Sequence, residues 1–209
     1  LRLITYMERQ VLKLGVNVKL NKEATSEAVV AGNFDKVILA AGSLPFVPLI
    51  EGVETASTSG DYLLGLKKPG EKVVVIGGGL VGCETAAYMK ETAKEVTIVE
   101  MLDDILAVAD HCLNNDQALR TMVKERNISV VGNAKVTKIT PKSVVYTKDG
   151  QEHIIDCDTV IIAAGYRSNN TLETMLEDNV KDLTVIGDSQ APRKILNAVH
   201  EGYHAIRVM

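Results

Sequence analysis

The chain has 209 residues, 46% hydrophobic and 24% charged, the balance of a globular protein rather than of a disordered segment. A formal net charge of -4 with no Lys/Arg cluster argues against a nucleic-acid partner, and 4% aromatics with no Trp argue against a stacking platform for bases. The three cysteines, Cys83, Cys112 and Cys157, form no CxxC pair, and no apolar run reaches the ~18 residues of a membrane span; the expectation is a soluble, cytoplasmic chain with reduced thiols.

In chain order, apolar residues at Leu1, Ile4 and Leu12 predict an amphipathic helix over residues 1–14, with Gly15 as its cap. A chain that opens on Leu1 inside such a helix reads as a piece of something longer. Residues 16–20 (VNVKL) alternate and predict a short strand, and residues 34–41 (FDKVILAA) predict a buried one stopped by Gly42. Pro45, Pro48 and Pro69 punctuate the stretch that follows, so residues 46–70 read as a linker with at most one short helix.

A second unit then begins. Residues 72–76 (KVVVI) predict a strand, followed by a glycine loop, a helix to about Thr92 and a strand over residues 95–100. A helix over residues 115–126 and a strand over 128–131 follow. From Lys135 the pattern changes to the alternating strands KVTKIT, SVVYT and EHIID, with Asp149-Gly150 as a hairpin turn. Residues 158–164 (DTVIIAA) are again a buried run, closed by Gly165; a strand over 183–187 and a helix from about Lys194 end the chain. The runs DKVILAAG at 35–42 and DTVIIAAG at 158–165 repeat one another, which suggests two related nucleotide-binding units, one inserted in the other.

The loop Gly77-Gly78-Gly79-Leu80-Val81-Gly82 carries the chemistry. A lone GxGxxG is weak, but this one leaves a strand and opens a helix, the context that dinucleotide binding requires. Gly77 permits the tight turn, Gly79 lets a pyrophosphate approach the backbone, and Gly82 lets the helix pack on the sheet. Helix amides and the positive end of the dipole then face the phosphates. Glu100 ends the next strand, where a carboxylate accepts the adenosine ribose hydroxyls and repels a 2′-phosphate. With Met101 beside it and Arg120 the nearest downstream arginine, NADH is expected over NADPH. Glu84, expected in the first helical turn, either complements the dipole or meets the nicotinamide end. His200 and His204 sit one helical turn apart, but without a third ligand no metal is expected.

The segments GGGLVGCETA, DTVIIAAGYRSN and VIGDSQAPRKILNAVHEGYHAI resemble the C-terminal half of the flavin-dependent 2-enoate and 2,4-dienoyl-CoA reductases, across essentially the whole chain. The resemblance implies an α/β architecture: a Rossmann-like NAD(P) domain, a parallel sheet with helices and a small antiparallel meander, inserted in a partial FAD-binding Rossmann-like domain. It assigns residues 71–165 to the NAD(P) domain and residues 1–45 and 166–209 to the FAD domain. Ala164-Gly165 then joins the NAD contacts. Ala41-Gly42, Gly187-Asp188 and the helix start at Lys194-Ile195 would meet FAD, although Asp188 taken alone reads as a plain N-cap.

In that family a barrel carrying FMN and a 4Fe-4S cluster precede these domains. Neither is present here, nor are the opening strand and glycine loop of the FAD domain. The implied role is to take hydride from NADH to FAD, then onward to FMN and an unsaturated acyl substrate. The missing barrel would be the partner, and the isolated chain is expected to be inactive. No catalytic acid or base is expected among these residues, and an exposed sheet edge would invite self-association. Two other readings stay open. One is a nucleotide-binding module with a structural or sensing role; the other is a pyridine nucleotide–disulfide reductase, weakened by the lack of a close cysteine pair.

Overall fold

A computed structural model describes residues 2–109 and 114–207; Leu1 and Cys112 lie outside the described residues. Helix α1 (Arg2–Lys13) ends before Gly15, whose φ of +70° turns the chain away. Thr25 caps α2 (Ser26–Ala31) by accepting the Ala28 amide at 3.3 Å. Strands β1 (Val37–Leu39), β2 (Ser43–Pro45) and β3 (Ser57–Thr58) come next, then α3 (Ser59–Leu63). The βαβαβ run is β4 (Lys72–Ile76), α4 (Leu80–Met89), β5 (Glu95–Val99), α5 (Asn114–Glu125) and β6 (Ser129–Val131). Then come β7 (Lys135–Thr140), β8 (Ser143–Lys148), β9 (Gln151–Asp156) and β10 (Thr159–Ile162). The chain continues through β11 (Tyr166–Ser168), α6 (Thr171–Leu176), β12 (Leu183–Val185) and α7 (Ile195–Arg207).

Five parallel strands form the central sheet in the order β3-β10-β4-β5-β6. The inner strands β4 and β10 carry apolar runs, residues 73–76 and 160–162, because both faces are covered, and alternate side chains serve different covers. Val73, Val75, Ile98 and Ile161 pack under the helices with Ala86, Met89, Leu119 and Val123. Val74, Ile76, Val99, Val160 and Ile162 face the opposite way, onto Val136, Ile139 and Val144 of the β7-β8-β9 meander. The meander turns at Asp149 (φ +51°) and Gly150 (φ +76°), the paired positive φ values of a type I′ hairpin. This is the α/β arrangement expected, with its small antiparallel layer.

The remaining segments gather separately. β1 pairs with β12 in parallel, Val37 opposite Leu183, so residues from the two ends of the chain share one ribbon. β2 and β11 pair antiparallel where the chain passes between this ribbon and the central sheet. The two repeated runs become β1 and β10, each closed by a glycine of positive φ, +77° at Gly42 and +98° at Gly165. Their acids differ. Asp158 accepts the Glu71 and Lys72 amides at 2.9 and 3.1 Å and so fastens the start of β4, whereas Asp35 is exposed and pairs with Lys181 at 3.1 Å.

Three expectations are corrected. Residues 16–20 form no strand: Val18 and Leu20 are exposed, and alternation yields a strand only where a neighbour takes the backbone hydrogen bonds. The stretch read as a linker supplies β3 and α3; Ser57 and Thr58 pair with Ile161 and Ile162, and Tyr62 joins the helical core. Glu84 is not in the first helical turn, because α4 already begins at Leu80 and Gly79 is its N-cap.

Candidate functional site

The glycine loop lies at the carboxyl end of β4, centrally in the sheet, between its two neighbours β5 and β10. Gly77 has φ +108°, and a Cβ there would stand 2.4 Å from the Ala163 carbonyl oxygen of the adjacent strand end. At Gly82 a Cβ would fall 1.9 Å from the Gly77 carbonyl oxygen, so the helix can cross the loop this closely only with glycine. Gly79 differs from both: no atom lies within 4 Å of where its Cβ would be, and its side is open to an incoming group. Leu80, Val81 and Gly82 are the first three residues of α4, whose amides have no acceptor within the helix. Open space, free amides and the helix dipole converge there, which suits a pyrophosphate.

The Glu100 carboxylate is tied into the loop. Its Oε2 accepts the Gly78 amide at 2.5 Å and its Oε1 accepts the Leu102 amide at 2.8 Å. Each oxygen keeps a lone pair for a further donor. Gly78 is held from its other side as well, since its carbonyl accepts the Leu106 amide at 2.7 Å. Met101 beside Glu100 is 65% exposed, a free apolar surface next to the carboxylate.

Sequence reasoning passed over what fixes this corner. Arg120 of α5 donates through Nε to Asp116 at 3.0 Å, through Nη1 to Asp104 at 2.5 Å and through Nη2 to the Ile105 carbonyl at 2.6 Å. The Asp104 contact raises the guanidinium pKa further, so it stays charged and committed. The signals were present, an Asp116–Arg120 pair at helical spacing and an acidic Asp103-Asp104 after Glu100, but nothing local in sequence joins them.

Around the loop, Glu84 is exposed on α4, and Ala164 and Gly165 are exposed at the end of β10, across from Gly77. Cys83 lies beneath, fully buried, its thiol 3.4 Å from the Gly78 carbonyl and its pKa pushed by burial up to about 12. Cys157 is buried on the other face of the sheet, and burial lifts it to about 11. With the sheet between them, these two thiols cannot act as a dithiol.

The second group of expected residues collects where β1 and β12 end. Asp188 follows β12; its Oδ2 accepts the Ser43 hydroxyl at 3.0 Å and its Oδ1 the Arg193 amide at 3.2 Å. The Gly42 carbonyl faces the buried Ser189 hydroxyl at 3.4 Å, with Ala41 exposed next to it. Gly187 (φ +62°) donates its amide to Glu201 at 2.7 Å, and the same carboxylate binds the Arg193 guanidinium. Lys194 and Ile195 open α7 on the exposed side. Beside this cluster a depression of about 440 Å³ runs between β12 and α7, lined by Asn197, His200, Glu201 and His204 among others. Among the described residues no group of three or more His, Cys, Asp or Glu could hold a metal, and no helix is long and apolar enough to cross a membrane.

Comparison with known proteins gives a consistent result. The model of the family described as pyridine nucleotide-disulphide oxidoreductase matches residues 2–202. Cinnamate reductase of Clostridium sporogenes is 37% identical over 206 residues, 98% of this chain and 31% of that protein. NADH oxidase of Thermoanaerobacter brockii is 38% identical, over 95% of this chain and 31% of that protein. Among solved structures, a 2-naphthoyl-CoA reductase complex superposes with TM-score 0.85 at 31% identity, covering 95% of this chain and 30% of that one. The chain thus spans about a third of the length of the relatives it matches.

Proposed function

Because this chain belongs to the pyridine nucleotide-disulphide oxidoreductase family, whose cofactors are FAD and NAD(P)H, we propose that it is the NADH-docking part of a flavin-dependent reductase of the enoate type. The family's name covers disulfide reduction, but the two cysteines among the described residues, Cys83 and Cys157, sit on opposite faces of the sheet, so the reading is hydride delivery without a dithiol formed by these two. When bound, NADH supplies a hydride and FAD accepts it. This chain's residues bind and orient.

In this reading the amides of Leu80, Val81 and Gly82 receive the pyrophosphate over Gly79, while Gly77 and Gly78 shape the turn beneath it. Glu100, with Met101 at its side, takes the adenosine ribose. Glu84 and Ala164-Gly165 line the way to the nicotinamide. On the flavin side, Asp188 offers a carboxylate oriented by Ser43 and by the Arg193 amide, in reach of ribityl hydroxyls. Ala41-Gly42, Gly187, Lys194 and Ile195 surround it. The FMN barrel, the 4Fe-4S cluster and an unsaturated acyl substrate belong to the rest of the proposed enzyme, and the isolated chain binds without turnover. The cytoplasm is the proposed compartment.

The observation that carries this reading is the open space over Gly79 at the start of a ten-residue helix, with Glu100 one hydrogen bond away through Gly78. Calorimetric titration with NADH, NADPH and FAD in parallel tests it. Saturable NADH binding with weaker NADPH is expected. No binding of either nicotinamide nucleotide would defeat the proposal.

A further inference from the structure

Among the described residues, six non-glycine residues have a positive φ. Five are Asn or Asp (Asn21, Asn33, Asn127, Asn133 and Asp149), which tolerate that region. The sixth is Leu106, at φ +58°. A leucine is held there only when its surroundings insist, and such outliers gather where function needs a fixed geometry. Leu106 is also 1% exposed, its side chain anchored in the helical core beside Ile105. What the strained backbone gains is the placement of its amide, which donates to the Gly78 carbonyl at 2.7 Å.

The restraint that keeps it there comes from α5. Arg120 grips the loop at two adjacent points, the Asp104 carboxylate and the Ile105 carbonyl, and is itself braced on its own helix by Asp116. An unbroken chain of contacts therefore runs from α5 through Arg120 to residues 104–106, then to Gly78, and from the Gly78 amide to Glu100 Oε2. The Ile105 methyl adds packing: a Cβ on Gly78 would meet its Cγ2 at 2.8 Å, so loop and glycine turn are already in contact. Both carboxylate oxygens of Glu100 take their direction from this assembly, since Leu102 belongs to the same loop.

We infer that Arg120 is a positioning residue for nucleotide choice: by pinning the loop of residues 101–109 it holds Gly78 and Glu100 in the one arrangement that takes an unphosphorylated adenosine ribose and turns away a 2′-phosphate. The inference rests on the NADH reading and goes further by naming where discrimination is set. Arg120 touches no nucleotide in this scheme. Its guanidinium is spent on Asp104, Asp116 and Ile105, and is not offered to a phosphate.

Arg120→Lys is the first variant, because an ammonium still answers the buried Asp116 but cannot reach three acceptors in a fork. NADH and NADPH affinities would be measured by calorimetry, with the melting temperature recorded beside them. The expected result is NADH binding weakened about tenfold with NADPH changed much less, so the preference narrows, and faster hydrogen exchange at the Leu106 and Gly78 amides. A merely structural role would weaken both nucleotides by one factor. That outcome, or an unchanged ratio in a folded variant, overturns the inference. If the variant does not fold, the double variant Arg120→Gln with Asp116→Asn removes both charges together and is read in the same way. Wild-type protein that binds no NADH sinks the NADH reading and this inference together, whereas wild-type binding with an unaltered ratio in the variants sinks this inference alone.

Discussion

A Cβ on Gly82 would sit 1.9 Å from the carbonyl oxygen of Gly77, so helix α4 and the turn that precedes it touch backbone to backbone. Gly79, between them in sequence, has nothing within 4 Å on its side-chain side. The two glycines should therefore fail in different ways. Gly82→Ala must push helix and turn apart, an overpacking that costs about 1–3 kcal/mol and shows as a lower melting temperature. Gly79→Ala should leave the melting temperature within a degree or two while NADH binding falls tenfold or more, because the methyl occupies the approach to the helix amides. Equal melting losses in both, or unimpaired NADH binding by Gly79→Ala, would remove Gly79 from the site.

Glu100→Ala removes both acceptors that the ribose hydroxyls would use. Hydrogen bonds to a charged group contribute about 1.5–3 kcal/mol, so NADH affinity is expected to drop between about tenfold and a hundredfold. NADPH, freed of a repelling carboxylate, should lose little. Titration of both nucleotides decides it, and an unaltered ratio of the two affinities would reject Glu100 as the discriminating group.

The thiols give a prediction in pH. Cys83 is raised from 9.0 to about 12 and Cys157 from 9.0 to about 11, both by burial first. Below pH 9 the thiols keep their protons in both the folded and unfolded chain, and their contribution to stability is whole. Above it the unfolded chain loses protons that the folded one retains, so stability falls as pH rises through about 11 and then about 12. Denaturant unfolding at pH 8 and pH 10 should show this decline, and Cys83→Ala should make it shallower by up to about 1.4 kcal/mol per pH unit. An identical slope in the variant would mean the thiol titrates normally. Iodoacetamide at pH 8 should label neither Cys83 nor Cys157 in the folded protein.

The β1–β12 ribbon pairs with no other strand among the described residues, and Leu3, Ile4 and Leu12 of α1, with Leu14 just after it, are all more than half exposed. Open edges and apolar surface favour association with another chain. The isolated chain should gain mass with concentration in sedimentation experiments. A clean monomer up to near-millimolar concentration would dismiss the idea.

The central unit was largely legible in the sequence because its inner strands are apolar runs closed by a glycine, as at residues 72–76 and 158–165. The glycine loop and the hairpin at Asp149-Gly150 were legible for a stereochemical reason: only certain residues accept those φ values. What escaped was nonlocal. β2, β3 and β11 have three residues or fewer, and each exists only because a distant strand lies beside it. α2 and α6, six residues each, are too short to display a period. Residues 16–20 show the opposite failure, a strand pattern with no strand beside it. At the site, Gly79 and Glu100 could be named from spacing alone, whereas Arg120 could not, since its partners at residues 104–105 are brought to it by the fold.

The antiparallel pair β2–β11 has a consequence for how such a chain could be assembled. Pro45 stands opposite Tyr166, and the Phe46 amide bonds the Gly165 carbonyl at 2.9 Å, so everything between enters and leaves by one doorway. A segment whose two ends already meet can be spliced into a host without stretching either, at little entropic cost to the host's own closure. Residues 46–165 thus have the closed ends of a cassette. Expressed alone, they should fold, keep their sheet with both faces covered, and carry the proposed nucleotide site with them into whatever scaffold offers two neighbouring strand ends.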